Sequence, residues 1–399
     1  MSFRMPPMSA RTSWDRRPSR LAELLAEARA TGRVLLDLTE SNPTRCGLLA
    51  DASLLSRLGD PAGALYEPSP FGRVRTREAV AKYYRDRGLP AEPERIVLTT
   101  STSEAYGWLF KLLSDDGDQV LVPQPSYPLF PMLAQLEGVE LAAYPLLRDE
   151  GWRVDVAALA RAIGPRSRAI LMVNPNNPTG SFVHRDDAQE IGAIARERGL
   201  ALIVDEVFAD FLHQPLGPDR QSSFAGFDQA LCFVLSGLSK LALLPQLKLG
   251  WIACFGPEPA VEEALGRLDL VADSYLSVST AVQLAAPAIL EQAQALRAPV
   301  MARLERNLAA IDRAISAQGS TCPVRRLPSE AGWYAMIEVP RTRPDEQWLE
   351  RLVHAEGLVV HPGYFFDLQA AGTMVVSLLH EPELFGPAIA RAVACWSSG

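Results

Sequence analysis

The chain has 399 residues, of which 48% are hydrophobic and 22% charged, and its formal net charge is −8 at pH 7. A chain of this size and composition can bury a sizeable core and form more than one domain. The acidic balance argues against nucleic-acid binding, which needs a basic surface, and no apolar run approaches membrane-spanning length. The five cysteines are scattered without a CxxC pair, which predicts reduced thiols, a cytoplasmic protein and no metal site.

The N-terminal part begins without a periodic pattern, so residues 1–18 are expected to form a flexible arm. Ser19 can cap a helix that Gly32 closes. A short strand is predicted at 34–38, and it leads into the turn 41–44, which is rich in side-chain acceptors.

Strand and helix patterns alternate from about residue 75 to residue 290. This alternation predicts an α/β fold of three layers around a largely parallel, doubly wound sheet. From about residue 295 the chain mixes long helices with short strands. That part is expected to form a smaller α+β unit, joined to the rest by a long helix.

Hydroxyl residues stand at the start of the helix that follows the predicted strand 96–99. Ser101 and Glu104 have the spacing of a capping box. Together with Thr102, Ser101 begins a helix whose free N–H groups and dipole favour an anion. An ordinary capped helix explains the same residues, and taken alone that explanation is better. After the next strand, a proline-rich loop presents Tyr127.

Three further apolar strands are predicted to end in an amide, a carboxylate and an amine. The residues concerned are Asn177, Asp205 and, after Ser239, Lys240. In open α/β sheets the carboxyl ends of the strands face the crevice where ligands bind. A partly desolvated lysine loses proton affinity there and can form a Schiff base with an aldehyde. A solvated loop lysine is the alternative for this stretch by itself.

The set of residues suits pyridoxal 5′-phosphate, which needs an amine partner, a phosphate cradle, a stacking ring and an acid beside its pyridine nitrogen. The chain resembles the fold-type I pyridoxal-phosphate enzymes, specifically the class I/II aminotransferases. The matching motifs follow the family's order from about residue 35 to the end: Tyr66, Thr100-Ser101-Thr102, Tyr127, Asn177-Pro178-Thr179-Gly180, Asp205-Glu206-Val207, Ser239-Lys240, Lys248-Leu249-Gly250-Trp251 and Pro362-Gly363.

The resemblance implies a role for each of these residues. Lys240 would form the Schiff base and move the proton of the substrate's α-carbon, and Asp205 would pair with the pyridinium nitrogen. Asn177 would donate to the cofactor's 3-oxygen and lie near the substrate carboxylate, and Tyr127 would stack on the ring. The phosphate would be held by Ser101, Thr102, Ser239 and Lys248 and, across the interface of a homodimer with shared active sites, by Tyr66. Residues 277–283 resemble a second segment that approaches the partner's cofactor.

The resemblance also implies how the chain is divided. The expected parts are a flexible arm at 1–18, an N-terminal segment at 19–55 that packs with the small domain, a large pyridoxal-phosphate-binding domain at 56–294, and a C-terminal small domain at 295–399.

Three positions depart from the family's pattern. Phe208 stands where a tyrosine usually donates to the 3-oxygen. Lys248 replaces a phosphate-binding arginine and lacks its bidentate fork. Val375 aligns with the arginine that usually binds the substrate's α-carboxylate. Arg45 is a candidate to bind this carboxylate in place of the missing arginine, and a solvated loop arginine is an equal alternative for this position. His380 is a weaker candidate.

The predicted function is transfer of an amino group from a small amino donor, expected to be an amino acid, to a 2-oxo acid. A β-lyase, decarboxylase or racemase would use the same lysine, acid and phosphate cup, so the motifs leave these reactions open. A non-catalytic aminotransferase-like regulator is a further alternative, which the retained Lys240 and Asp205 disfavour.

Overall fold

The structure is a computed structural model that describes residues 5–49, 51–148 and 151–398. Its α-helices, numbered α1 to α12 in chain order, are Arg20–Ala30, Ala52–Leu55, Val74–Asp86, Thr102–Leu113, Phe130–Glu137, Val156–Ala162, Arg185–Arg198, Leu238–Leu241, Glu258–Tyr275, Thr280–Ser316, Asp345–Arg351 and Pro382–Ser397. Short 3₁₀ turns lie at Ala10–Thr12, Ser56–Gly59, Pro61–Ala64, Pro93–Arg95, Pro245–Leu247 and Gly363–Phe366, and a π turn lies at Leu352–Glu356.

The strands, numbered β1 to β14 in the same way, are Leu36–Asp37, Ile96–Thr99, Gln119–Gln124, Glu140–Arg148, Trp152–Val154, Ser167–Val173, Ala201–Asp205, Cys232–Gly237, Gly250–Phe255, Arg325–Arg326, Tyr334–Glu338, Leu358–Val359, His361–Pro362 and Thr373–Ser377.

Eight strands form the large sheet, in the order β2-β9-β8-β7-β6-β3-β4-β5. The five strands from β8 to β4 pair in parallel, while β9 and β5 run antiparallel to their neighbours. The prediction of an α/β fold with a largely parallel sheet is confirmed. Because β8, β7, β6 and β3 are parallel neighbours, their carboxyl ends meet at one edge.

Helices cover both faces of the large sheet. Successive residues of each strand point to opposite faces, so each strand contributes to the core on both sides. In β8, Val234 belongs to one buried apolar cluster, and Phe233 and Leu235 belong to another. All three side chains are fully buried. The middle residues of the central strands are therefore apolar on both sides, as expected of strands that are covered on both faces.

A second, four-stranded antiparallel sheet has the order β10-β11-β14-β13. The 37-residue helix α10 leads from the large sheet towards it, and the predicted division at residue 294 falls inside this helix. The predicted strand 34–38 is shorter than expected, because β1 pairs only with the two residues of β12. None of the helices in the described residues combines the length and apolar character that crossing a membrane requires.

Candidate active site

A cavity of about 310 Å³ lies at the edge where the parallel strands end. Eight of the residues singled out in the sequence line it: Ser101, Thr102, Tyr127, Asn177, Asp205, Ser239, Lys240 and Lys248. They come from six separate stretches of chain. The fold thus brings together groups that the sequence placed at different strand ends.

Lys240 enters the cavity from α8, directly after β8 ends at Gly237. Its Nζ lies 4.7 Å from the ring centroid of Trp333 and 5.6 Å from that of Phe208. Burial lowers the pKa of this amine from 10.5 to about 8, against the opposing effect of Asp205. The neutral, nucleophilic form of Lys240 is therefore far more populated near neutral pH than that of an ordinary lysine.

Asp205 is the last residue of β7, and its side chain is buried. Oδ1 accepts a hydrogen bond from the backbone N–H of Val207 at 3.0 Å, and Oδ2 accepts one from the hydroxyl of Tyr106 at 2.8 Å. Burial raises the pKa of this carboxyl, while the two hydrogen bonds and Lys240 lower it. A cation opposite Asp205 would favour its charged form further.

The start of α4 lines one part of the cavity with Ser101, Thr102 and Ser103. The backbone N–H of Glu104 donates to Oγ of Ser101 at 3.2 Å, as the capping-box spacing predicts, but Oε2 of Glu104 accepts from the N–H of Thr100 at 2.7 Å. Gly250 approaches this turn so closely that a Cβ there would lie 3.0 Å from the carbonyl carbon of Ser101. Because the first N–H groups of a helix lack partners within it, those of Thr102 and Ser103 can bind an anion.

Lys248 lines the same part of the cavity in a left-handed backbone conformation, with φ of 53°. Such a conformation is uncommon outside glycine. The ammonium stays exposed, so it can add positive charge beside the helix start.

Tyr127 and Asn177 line the middle of the cavity. The ring of Tyr127 packs edge-on against Phe130, with centroids 5.7 Å apart, and burial raises the pKa of its hydroxyl to about 12. Asn177 is buried, and its Oδ1 has no hydrogen-bond partner within the described parts of the chain. A buried polar atom without a partner is disfavoured, which indicates that a ligand completes this group.

The remaining wall contains Ser41 and Tyr334. Val375 is fully buried in an apolar cluster with Trp152 and Met336. Among the described residues that line the cavity, the only cations are Lys240 and Lys248.

Tyr66, Arg45 and His380, which the sequence also singled out, lie outside the cavity lining. Tyr66 is 70% exposed and lines a second cleft together with Ser277 and Gln283. Nη1 of Arg45 lies 3.3 Å from Oε2 of Glu40, and the arginine side chain is 75% exposed.

His380 is the third of these residues. Its Nε2 is 2.6 Å from the carbonyl oxygen of Asp37 in β1. The proposed roles of Tyr66, Arg45 and His380 stay predictions.

Four residues of the site escaped the sequence analysis: Tyr106, Ser41, Trp333 and Tyr334. A hydroxyl inside the otherwise apolar stretch of α4 could have drawn attention to Tyr106. Ser41 lies in a turn that was noted only for its acceptors. Nothing in the local pattern marks Trp333 and Tyr334, because β11 reaches the cavity only through the packing of the second sheet.

The site fits pyridoxal phosphate on the geometry alone. It offers a buried amine for an aldehyde, a helix start for a phosphate, a buried acid for a ring nitrogen and an amide with an unpartnered oxygen. No group of three or more His, Cys, Asp or Glu residues in the described ranges is arranged to hold a metal ion. Fold and site together define a fold-type I enzyme of the pyridoxal-phosphate class.

The family model described as "Aminotransferase class I and II" matches residues 57–384. The chain belongs to this family, whose members use pyridoxal phosphate. Alanine aminotransferase from Pyrococcus furiosus has a similar fold, with a TM-score of 0.86, 23% identity and coverage of 98% of this chain and 100% of that one.

Two curated relatives extend the comparison. Mouse (Mus musculus) tyrosine aminotransferase is 28% identical over 314 residues, which cover 76% of this chain and 67% of the relative. The S-alkyl-thiohydroximate lyase of Arabidopsis thaliana is 29% identical over 270 residues, which cover 65% and 58%. The matched stretches thus span about two thirds or less of these relatives' lengths.

Proposed function

We propose that this protein is an aminotransferase that moves an amino group between an amino acid and a 2-oxo acid, with Lys240 as the residue that binds the cofactor covalently. One observation carries the proposal: Lys240, Asp205 and the start of α4 meet around a single cavity. Family membership supports the reaction type.

The residues of the cavity have separable tasks. Bound pyridoxal phosphate supplies an aldehyde and a ring that accepts the electron pair of the substrate's α-carbon. The Asp205 carboxylate would pair with the ring nitrogen and favour its protonated form, and Nζ of Lys240 would take the proton from the substrate's α-carbon. Trp333 and Phe208 exclude water around Nζ. The start of α4, Ser239 and Lys248 hold the phosphate.

A lyase acting through the same residues is the second candidate. The similarity to a relative described as a lyase favours it. Both reactions begin with removal of a proton from the α-carbon, so the cavity residues alone do not separate them. A non-catalytic regulator is disfavoured, because burial lowers the pKa of Lys240 and so makes the amine more nucleophilic.

Two measurements test the proposal. Borohydride reduction of the loaded protein should fix the cofactor on Lys240, as peptide mapping would reveal. In a single turnover with a panel of amino acids, the cofactor's absorbance should change to that of the pyridoxamine form, and pyruvate or 2-oxoglutarate should reverse the change. An adduct on another residue contradicts the assignment of Lys240. Release of product without the pyridoxamine form favours the lyase.

We further propose a cytoplasmic homodimer in which Tyr66 completes the partner's site. All five cysteines are free, which suits a reducing compartment. Tyr66 and the nearby Leu276 expose much of their side chains around the second cleft, as expected of an interface. The division into an arm, a large domain and a small domain remains part of this proposal.

A further inference from the structure

The helix that presents Lys240 depends on an outside partner. Helix α8 is four residues long, so its last carbonyl groups lack partners within the helix. The carbonyl oxygen of Leu241, the residue after Lys240, accepts a hydrogen bond from Nη1 of Arg297 at 3.3 Å. Arg297 belongs to α10 and stands 56 residues further along the chain.

The same guanidinium is also held by a carboxylate. Nη2 of Arg297 lies 3.2 Å from Oδ1 of Asp210, and the two side chains are only 14% and 13% exposed. Oδ2 of Asp210 accepts a hydrogen bond from the hydroxyl of Tyr83 at 2.6 Å. Asp210 follows β7 on the segment that begins at Asp205. Arg297 therefore connects the segment that follows Asp205 to α8, the helix that carries Lys240.

We propose that Arg297 is a positioning residue that fixes the amine of Lys240 in the cavity by capping α8 and anchoring it to the segment after Asp205. The planar guanidinium suits this task, because its separate N–H groups satisfy a carbonyl and a carboxylate at once. The inference rests on the proposed role of Lys240.

Arg303 on the same helix provides a matched comparison. Its Nη1 donates to the carbonyl oxygens of Cys46 and Leu379, at 2.6 and 2.7 Å, and its Nη2 donates to Glu381 at 2.6 Å. Arg303 thus also donates to backbone carbonyls and to a carboxylate, here one that is 48% exposed, and none of these contacts involves the helix of Lys240. Replacing either arginine removes a buried guanidinium from α10, and only the replacement of Arg297 releases α8.

The test compares two forms of the cofactor that differ in their need for Lys240. Pyridoxal phosphate bonds to the lysine, whereas pyridoxamine phosphate carries an amine and cannot. In Arg297→Met we expect the affinity for pyridoxal phosphate to fall about tenfold, as for the loss of a charge-assisted hydrogen bond, and the affinity for pyridoxamine phosphate to stay near that of wild type. Arg303→Met should keep both affinities and lower only Tm.

A second readout follows Lys240 without any cofactor. As α8 loosens and water reaches the amine, the pKa of Lys240 should rise from about 8 towards its ordinary value. The pH dependence of trinitrophenylation, mapped by mass spectrometry, measures this pKa. Arg297→Lys keeps a charge opposite Asp210 but lacks the fork, so it should fold and give an intermediate shift.

The outcomes separate this inference from the proposed function. If wild type fails to bond pyridoxal phosphate through Lys240, the proposed function is wrong. If wild type bonds it but Arg297→Met loses both affinities equally, or Arg297→Lys leaves the pKa of Lys240 unchanged, then Arg297 has no positioning role.

Discussion

The hydroxyl of Tyr106 donates a hydrogen bond of 2.8 Å to Oδ2 of Asp205, and both side chains are buried. This bond favours the charged form of the carboxylate in a place where burial opposes it. The carboxylate at the end of β7 thus depends on a tyrosine in α4 to keep its charge.

Tyr106→Phe should weaken cofactor binding while keeping the fold, because phenylalanine fills nearly the same volume. Loss of a hydrogen bond to a charged group costs about 1.5–3 kcal/mol, or roughly ten- to a hundredfold in the dissociation constant of pyridoxamine phosphate. The pKa of Asp205 should rise, so affinity should be lost at a higher pH as the solution is acidified. Tyr144→Phe is the control, since this buried tyrosine donates to the carbonyl of Leu171 at 2.8 Å, away from the cavity lining. If Tyr106→Phe loses affinity for pyridoxamine phosphate at the same pH as wild type, Tyr106 does not influence the pKa of Asp205.

Lys240 should react with an amine-modifying reagent with a midpoint near pH 8, because burial lowers its pKa to about 8. Only the neutral amine is a nucleophile, so the rate should rise through this range and then level off. In Asp205→Asn the midpoint should move to lower pH, since the negative charge that raises the pKa is gone. Mass spectrometry of the Lys240 peptide, with the exposed Lys82 as an internal reference, gives the rates. A higher midpoint in Asp205→Asn would show that the two groups do not interact as argued.

Phe208→Tyr should lower the pKa at which the visible band of the bound cofactor titrates. The ring of Phe208 lines the cavity beside Nζ of Lys240, so a hydroxyl there can donate to the cofactor's 3-oxygen and stabilise its anion. Phe211→Tyr makes the same chemical change outside the cavity lining, where the ring packs 5.0 Å from Trp333. We expect the control to lower Tm without moving the spectroscopic pKa. A rise, or no change, in the spectroscopic pKa of Phe208→Tyr contradicts the prediction.

Arg45→Ala tests what binds the substrate carboxylate. If Arg45 turns from Glu40 towards the cavity when substrate binds, its loss should raise KM for an α-amino acid about ten- to a hundredfold. KM for the matching amine without a carboxylate should hardly change. Glu40→Gln provides the opposite change, because it releases Arg45 from its ion pair and should lower KM for the amino acid. Equal effects of Arg45→Ala on both substrates would exclude it as the anchor.

Hybrid dimers test whether sites are shared. A Lys240→Ala chain paired with a Tyr66→Phe chain leaves one site with both native residues, provided that Tyr66 serves the partner's cavity. Mixing with subunit exchange should therefore restore activity above that of the two parents. The same two proteins mixed without exchange are the control. Activity no higher than this control would place Tyr66 outside the partner's site.

The sequence by itself determined the order of the strands and helices around the site and the chemistry at each strand end. Caps, turn residues and apolar runs act over a few residues, so Ser101, Asp205 and Lys240 could be assigned to strand ends before any packing was known. A family resemblance added their roles.

Only the tertiary structure decided how these groups are tuned. Tyr106 meets Asp205 across 99 residues, and Arg297 meets Leu241 across 56. Such contacts have no fixed spacing in sequence, because they depend on how the layers pack. The pKa of Lys240 likewise follows from burial beside Trp333. Trp333 lies immediately before β11 of the second sheet and carries no local signal. Local physical chemistry therefore specified the groups, and long-range packing set their environment.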